Sequence, residues 1–400
     1  GREASADTAM LAVLRAVVGQ RGGWLAALNP HWHYLSQGVP DEQADEQTWW
    51  QDGNQEQRLQ WLQLQRRRQP EQARAQLQAG LARMGARERS ALVSTLAVNL
   101  GADDEALLQS LLRDRSKEVR QVALGLLCAL PDSQLVQRAQ QRMAALLYQE
   151  RALLRQHWHI RAPEHCPADW QQDGIEALRP AAEGLGEKAW WLCQLAAQLP
   201  LRWWQLQLDM SPQQLIEWAQ AGDWQQALLR AWYQAAVREQ DADWAAAWLR
   251  LPERIGSVWW PDRTPLAALL PLAEQGEYWL DQLAAGSASR TTGEALARLN
   301  QHYLRPAGAT SLAGSTELVS EAFVRRLFLL LREAVSEPMN KWDYRLRTAV
   351  LDTLVLVPHS LLPLALQGWP DDDPQSAYFQ DTFIRMQQIA RLRLNLAQLC

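Results

Sequence analysis

At 400 residues, of which 48% are hydrophobic, the chain exceeds the roughly 250–300 residues that one globular core accommodates, so two domains or an elongated repeat array is expected. A formal charge of −5 supplies no general basic field for a nucleic-acid backbone, and no apolar run reaches the ~18 residues of a membrane span. Cys128, Cys166, Cys193 and Cys400 show no paired spacing, which with the absence of a signal peptide predicts reduced thiols and a cytoplasmic location.

The chain opens Gly1-Arg2 without a methionine, so an upstream part is expected. Thr8 to Val18 is apolar and helical in pattern, and the turn Arg21-Gly22-Gly23-Trp24 leads into a short helix that ends at Asn29-Pro30. From Ser36 to Gln57 the composition is acidic and polar, which predicts a solvated loop docked through Trp49-Trp50. Glu56 to Arg68 is a helix with Leu59, Leu62 and Trp61 inward. Its terminal Arg66, Arg67 and Arg68 are expected to complement the helix dipole. Pro70 opens the next helix, and Arg87 to Leu100 carries Leu92, Val93, Leu96 and Leu100 on one side.

Ala102 to Pro131 then reads as one helical hairpin. A short helix ends near Arg113, a polar turn of Asp114, Arg115 and Ser116 follows, and Val119, Val122, Ala123, Leu126, Leu127 and Leu130 form a single apolar stripe. Ser116 is the expected N-cap and Pro131 the stop. A lone hairpin leaves its stripe half covered, so neighbours of the same kind are required, as in an α-solenoid. Asp132 is expected to cap the following helix, which bears Leu135, Ala139, Met143, Leu146 and Leu147.

Gln156 to Gly174, broken by Pro163 and Pro167, reads as loop. Helices resume over Gly186–Leu199, Pro212–Ala221, Trp224–Glu239 and Asp241–Leu249, with shorter ones over Thr264–Glu274 and Tyr278–Leu283. Gly286–Gly293 and Pro306–Ser315 are expected to be mobile loops. Glu317–Val335 is a strongly apolar helix. Beyond it, Leu346–Pro358 aligns without gaps on Val119–Pro131, an offset of 227 (346 against 119) that sets Arg347 on Arg120 and Asp343 on Ser116. This is internal repetition of one helix type. A last helix carries Phe379, Phe383, Met386 and Ala390 towards the body.

Asp114, Val119 and Arg120 ahead of an alanine–leucine stripe resemble the signature of HEAT-type repeats, and Arg347 occupies the matching place in the second copy. In such repeats the acidic turn residue and the helix arginine pair between neighbouring hairpins. Arg21 to Ala26 with Asn29 to Trp32, Glu56 to Arg66 with Pro70 to Leu77, Asp114 to Leu130 and the closing Arg391 to Arg393 helix together resemble a bacterial family of HEAT-like proteins of unknown function. The resemblance implies an all-α, HEAT-like α-solenoid of helical hairpins with irregular loops. It divides into an N-terminal helix and polar loop (1–57), HEAT-like repeats (58–150), an irregular helical middle (151–316), and C-terminal repeats with a capping helix (317–400). It also implies partners similar to MoxR-type AAA ATPases, von Willebrand factor A-domain proteins and SWIM zinc-finger proteins, and it brings no catalytic residue or cofactor.

His157, His159, His165 and Cys166 form the densest set of possible metal ligands, but their spacing favours scattered loop residues over a site. The runs Asp103–Glu105 and Asp371–Asp373 read as helix capping and solvent-exposed loop. There is no Walker sequence, G-x-S-x-G, H-E-x-x-H or paired C-x-x-C. The chain holds 21 tryptophans, including Trp49-Trp50, Trp190-Trp191, Trp203-Trp204 and Trp259-Trp260; neighbours on a helix diverge by about 100°, so one of each pair is expected in the core and the other at its edge. Lys117, Lys188 and Lys341 are the only lysines among 40 basic residues, a bias that could serve fork-like pairing with carboxylates but that a GC-rich genome explains more simply.

The expected function is that of a non-enzymatic scaffold or adaptor binding a protein partner, with Arg21, Trp24, Asn29 and Trp32 as contacts and Asp114 and Arg120 fixing the array. The alternative is a HEAT-like DNA-binding protein resembling alkylpurine DNA glycosylases, which the acidic charge opposes.

Overall fold

The computed structural model describes residues 46–152, 155–251, 261–287, 291–305, 319–369 and 376–397. Most of these are helical, and the strands among them form one antiparallel hairpin. The all-α class expected from the hydrophobic periodicity therefore holds, with that hairpin as an addition. The chain makes two compact units: the first ends at Ala144 and is completed by Glu164–Ala177, while the second takes Ala145–Pro163 and the chain from Leu178 onward.

The first unit contains α1 (Glu46–Asp52), α2 (Gln55–Arg68), α3 (Pro70–Gly80), α4 (Ala86–Ser94), α5 (Glu105–Leu111), α6 (Lys117–Cys128), α7 (Gln134–Leu146, whose last two residues pass to the second unit) and α8 (Ala168–Gln172). A capping box starts α2: the Asn54 side chain accepts from the Gln57 amide, and the Gln57 side chain accepts from the Asn54 amide. The helix expected to run to Leu100 stops at Ser94. A 3-10 turn follows, and Asn99 takes a left-handed φ of 52°, which asparagine tolerates better than most residues.

Two expected caps differ from those observed. Ser116 makes no side-chain cap bond to α6, and α7 is capped by the buried Ser133 rather than Asp132. The Ser133 hydroxyl accepts from the Val136 amide and donates to the Leu127 carbonyl, tying two helices together. Leu62, Leu77, Leu92, Leu96, Leu108, Val119, Ala123 and Leu127 fill the core where α4 and α5 pack on α6. Each such leucine contributes about 1.5–3 kcal/mol. Gly174, at φ +84°, lets the 164–177 segment return onto α6, because a Cβ there would lie 3.0 Å from the Leu124 side chain.

The second unit begins with β1 (Leu147–Ala152) and β2 (Arg155–Ile160), paired so that Glu150 faces His157 and Tyr148 faces His159. The stretch from Gln156 is thus a strand where a loop was expected. Its helices are α9 (Glu187–Ala197), α10 (Leu201–Leu208), α11 (Pro212–Ala221), α12 (Gln225–Glu239), α13 (Ala242–Leu249), α14 (Thr264–Ala267), α15 (Leu272–Ser287), α16 (Thr292–Leu299), α17 (Glu321–Ser336), α18 (Tyr344–Leu356), α19 (Leu362–Ala365) and α20 (Gln380–Ala397). Gly286 continues α15 and Gly293 lies in the first turn of α16, so neither belongs to an open loop. Pro306–Ser315 lies outside the described residues.

Tryptophan builds much of this unit's interior. Trp204, Trp232, Trp244 and Trp248 are fully buried, with Trp232 ringed by Trp204 at 5.3 Å and Trp244 at 5.2 Å between centroids. Trp191 and Trp204 are buried while their neighbours Trp190 and Trp203 are half-buried, the division expected of adjacent positions on a helix; Trp49 and Trp50 are both half-buried and do not divide, and Trp259-Trp260 lies outside the described residues. Two more indoles pin the hairpin, Trp218 donating to the Trp158 carbonyl and Trp224 to that of Ile160. Further along, Phe323, Leu327, Phe328 and Leu331 of α17 join Leu346, Val350 and Leu354 of α18, and Phe379, Phe383, Met386 and Ala390 close over them as expected. No single helix among the described residues is long and apolar enough to cross a membrane.

Candidate functional site

Each helix leaves its last carbonyls without partners in its own ladder, and a neighbour must supply donors if those ends are to be buried. Arginine does so here. Arg66, the last-turn residue expected to serve only the dipole of α2, is fully buried. It donates Nε to Val98 O (2.9 Å) and Nη2 to Asn99 O (2.8 Å) and Leu96 O (3.3 Å) beyond α4, and Nη1 to Pro70 O. It also forks onto Asp104 at 3.0 and 2.7 Å. Arg67 and Arg68 remain exposed. The Asp104 carboxylate further accepts from Arg74 and from the Gly101 amide, so this buried ion pair is fully hydrogen-bonded.

The turn around Asp114 is built the same way. Arg89 of α4 forks onto Asp114 at 3.2 and 2.8 Å and donates a third bond to Met84 O, while the Ser116 amide donates to Asp114 Oδ1 at 2.7 Å. Partial burial works to raise the Asp114 pKa, but the Arg89 and Ser116 hydrogen bonds outweigh it and hold the carboxyl below its ordinary value. The side-chain partner of Asp114 is therefore Arg89. Arg120 instead donates to the Asp114 backbone carbonyl at 2.7 Å, and Val119 lies in the core beneath. In the second unit Arg347 donates to the Lys341 carbonyl, also six residues back and also at 2.7 Å. The aligned arginines make the same bond. The aligned cap positions differ: Asp343 accepts from the Leu346 amide and from the Gly293 amide of α16, both at 3.0 Å.

Beside the Asp114 turn a cleft of about 590 Å³ opens, lined by Gln109, Ser110, Arg113, Arg138, Arg142, Asp169, Gln172 and Asp173. Helical spacing puts Arg138 and Arg142 on one face of α7, opposite Asp169 and Asp173 of α8 and its end. Arg138 forks onto Asp173 at 2.9 and 2.6 Å, and Arg142 donates to Asp169 at 2.9 Å while stacking over Trp170. No motif in the sequence marked this cleft. Its signal was two carboxylates and two arginines, each pair four residues apart, on segments separated by a proline-broken stretch.

In the second unit the turn before α18 leaves a cluster of large apolar side chains in solvent. Trp342 is 60% and Tyr344 64% exposed, and Met339 and Tyr378 are also exposed, to 45% and 42%. Lys341 sits 5.7 Å from the rings of both Trp342 and Tyr378, and Arg347 stacks 4.9 Å over Tyr344.

The candidate metal ligands divide between the two units. His157 and His159 lie on one face of β2 in the second unit, where His159 approaches Glu150 at 3.7 Å, whereas His165 and Cys166 belong to the first. No group of three or more His, Cys, Asp or Glu that could hold a metal occurs among the described residues. Burial pushes the Cys193 thiol up to about 12, which disfavours its thiolate, and raises that of Cys166. Arg21, Trp24, Asn29 and Trp32 lie outside the described residues.

The fold and these sites define a predominantly helical protein whose helix ends are tied by arginine and whose surface carries a charged cleft and an aromatic cluster. Over residues 2–400 the chain matches the model of DUF5691, a family of unknown function, and it belongs to that family. No curated protein and no solved structure matches it.

Proposed function

We propose that the chain is a non-enzymatic, HEAT-like α-solenoid that serves as a scaffold or adaptor for a protein partner, in an assembly containing a MoxR-type ATPase or a von Willebrand A-domain protein. One observation carries the repeat reading: Arg120 and Arg347, aligned at the internal offset, each close the turn before their helix with the same bond to a carbonyl six residues back. Two apolar helices resemble each other at little expense, but a shared arginine-to-turn bond is a geometric coincidence far harder to reach by composition alone.

The exposed cluster at Met339, Trp342, Tyr344 and Tyr378 is the surface best suited to such a partner. Aromatic side chains already held by ring and cation contacts lose little freedom on docking, and Lys341 and the exposed Arg345 at their edge favour an acidic segment of it. The test is affinity capture from native bacterial lysate, with and without ATP, using the wild type and the Trp342→Ala/Tyr344→Ala variant. Recovery of an AAA ATPase or a von Willebrand A-domain protein by the wild type, and its loss from the variant, is expected. Capture of neither class, or capture indifferent to the substitutions, would overturn the proposal.

A further inference from the structure

The cleft of the first unit carries a charge imbalance and unused donors together. Three guanidinium groups, those of Arg113, Arg138 and Arg142, line it against two carboxylates, Asp169 and Asp173. Both carboxylates are taken: Asp173 by Arg138 and by Arg142 Nη1 at 2.7 Å, and Asp169 by Arg142 Nη2. Arg113, exposed at the rim, pairs with no carboxylate among the described residues, so the lining is left with one positive charge in excess.

Two donors of the lining residues lack acceptors. Gln109 Nε2 is buried without an acceptor, and Arg142 Nη1, although close to Asp173, meets it outside hydrogen-bond geometry and has no other acceptor. A buried amide N–H without a partner is costly, and a ligand oxygen would relieve it.

We propose that this cleft binds a carboxylate monoanion, one oxygen accepting from Gln109 Nε2 and the pair neutralising Arg113 beside Arg142. A monoanion matches the single excess charge. A phosphate dianion would bring its second charge against Asp169 and Asp173, which repel it. The carboxylate is carried either by a small free acid or by an acidic side chain of a protein, and the site does not depend on the adaptor reading.

The full chain is titrated by calorimetry with propionate, with acetyl-Ala-Glu-Ala amide and, at a pH of about 8 where it is the dianion, with inorganic phosphate, at low and high salt. Saturable binding of either carboxylate probe, weakened by salt and lowered roughly tenfold by Arg113→Gln, is expected. Gln109→Leu removes the buried donor without cutting into the fold, so it should weaken binding while leaving the melting temperature unchanged or higher. Peptide binding at least ten times tighter than propionate assigns the site to a partner's acidic side chain, and comparable affinities assign it to a free acid. Both outcomes support the proposal. Phosphate binding as tight as either carboxylate, no binding by either carboxylate, or binding untouched by both substitutions would overturn it. Retained carboxylate binding alongside failed capture of an ATPase would sink the adaptor reading alone.

Discussion

Replacing Arg66 is the sharpest test of how the first unit is held together. Its guanidinium offers five N–H groups, and the structure gives them the Asp104 carboxylate and the carbonyls of Val98, Asn99, Leu96 and Pro70. Arg66→Ala leaves those carbonyls without their donor and Asp104 with only Arg74 and the Gly101 amide. Removing one partner of a buried pair costs about 3–5 kcal/mol, a large share of a domain's stability. Arg66→Lys should recover only part of this, since an ammonium has three donors and no fork. Urea unfolding followed by circular dichroism gives the global loss, and hydrogen exchange of amides around Leu92–Leu108 localises it to this unit. The pairing of Arg66→Met with Asp104→Leu should lose less than Arg66→Met alone, because both charges then leave the interior together. A loss below ~1 kcal/mol in Arg66→Ala, or exchange unchanged around Asp104, would refute the reasoning.

Because the folded Asp114 carboxyl is held below its ordinary value, its contribution is complete above the unfolded pKa of about 3.9 and fades as pH falls through the lower folded one. Asp114→Asn should therefore be less stable at neutral pH and show a shallower acid decline in melts taken below pH ~4. Arg120→Ala and Arg347→Ala should each cost about 1.5–3 kcal/mol, seen in thermal unfolding, and unchanged stability in both would count against the shared turn. Gly293→Ala places a Cβ 2.3 Å from the Leu346 amide nitrogen, so α16 must move off α18; a destabilisation of about 1–3 kcal/mol in the melting curve is expected.

Helix existence and the buried stripe were legible because period 3.6 is written locally, and Val119, Ala123 and Leu127 lie where that period puts them. The fate of Arg66 was not, since Arg66, Arg67 and Arg68 differ only in which way they face and the partner carboxylate is 38 residues away. The hairpin was missed for a chemical reason. Leu153-Leu154 between the strands carries no glycine or asparagine turn signal, and Leu147–Ala152 extends a helical pattern. What did mark it was the alternation of His157 and His159 with Trp158 and Ile160. The partner of Asp114 was not legible either: the signature drew attention to Arg120, which serves the backbone, while the carboxylate takes Arg89, 25 residues back.

The scarcity of lysine now has a structural use, whatever its origin in base composition. The C-terminal carbonyls of one helix are repeatedly met by an arginine from another: Arg238 donates to Ala197 O and Leu199 O past α9, Arg263 to Leu249 O and Leu251 O past α13, and Arg393 to Leu354 O and Val357 O past α18. Each reaches two carbonyls that sit two or three residues apart on a curved chain end. In Arg238 and Arg263 the two arms of the planar fork take one carbonyl each, while in Arg393 a single Nη1 donates to both. Leucine stripes by themselves tolerate helices sliding past one another, because any apolar ridge fits several grooves. A guanidinium fixed on two named carbonyls tolerates far fewer arrangements. In these helical units burial supplies the stability, and arginine at the helix ends specifies which packing that burial selects.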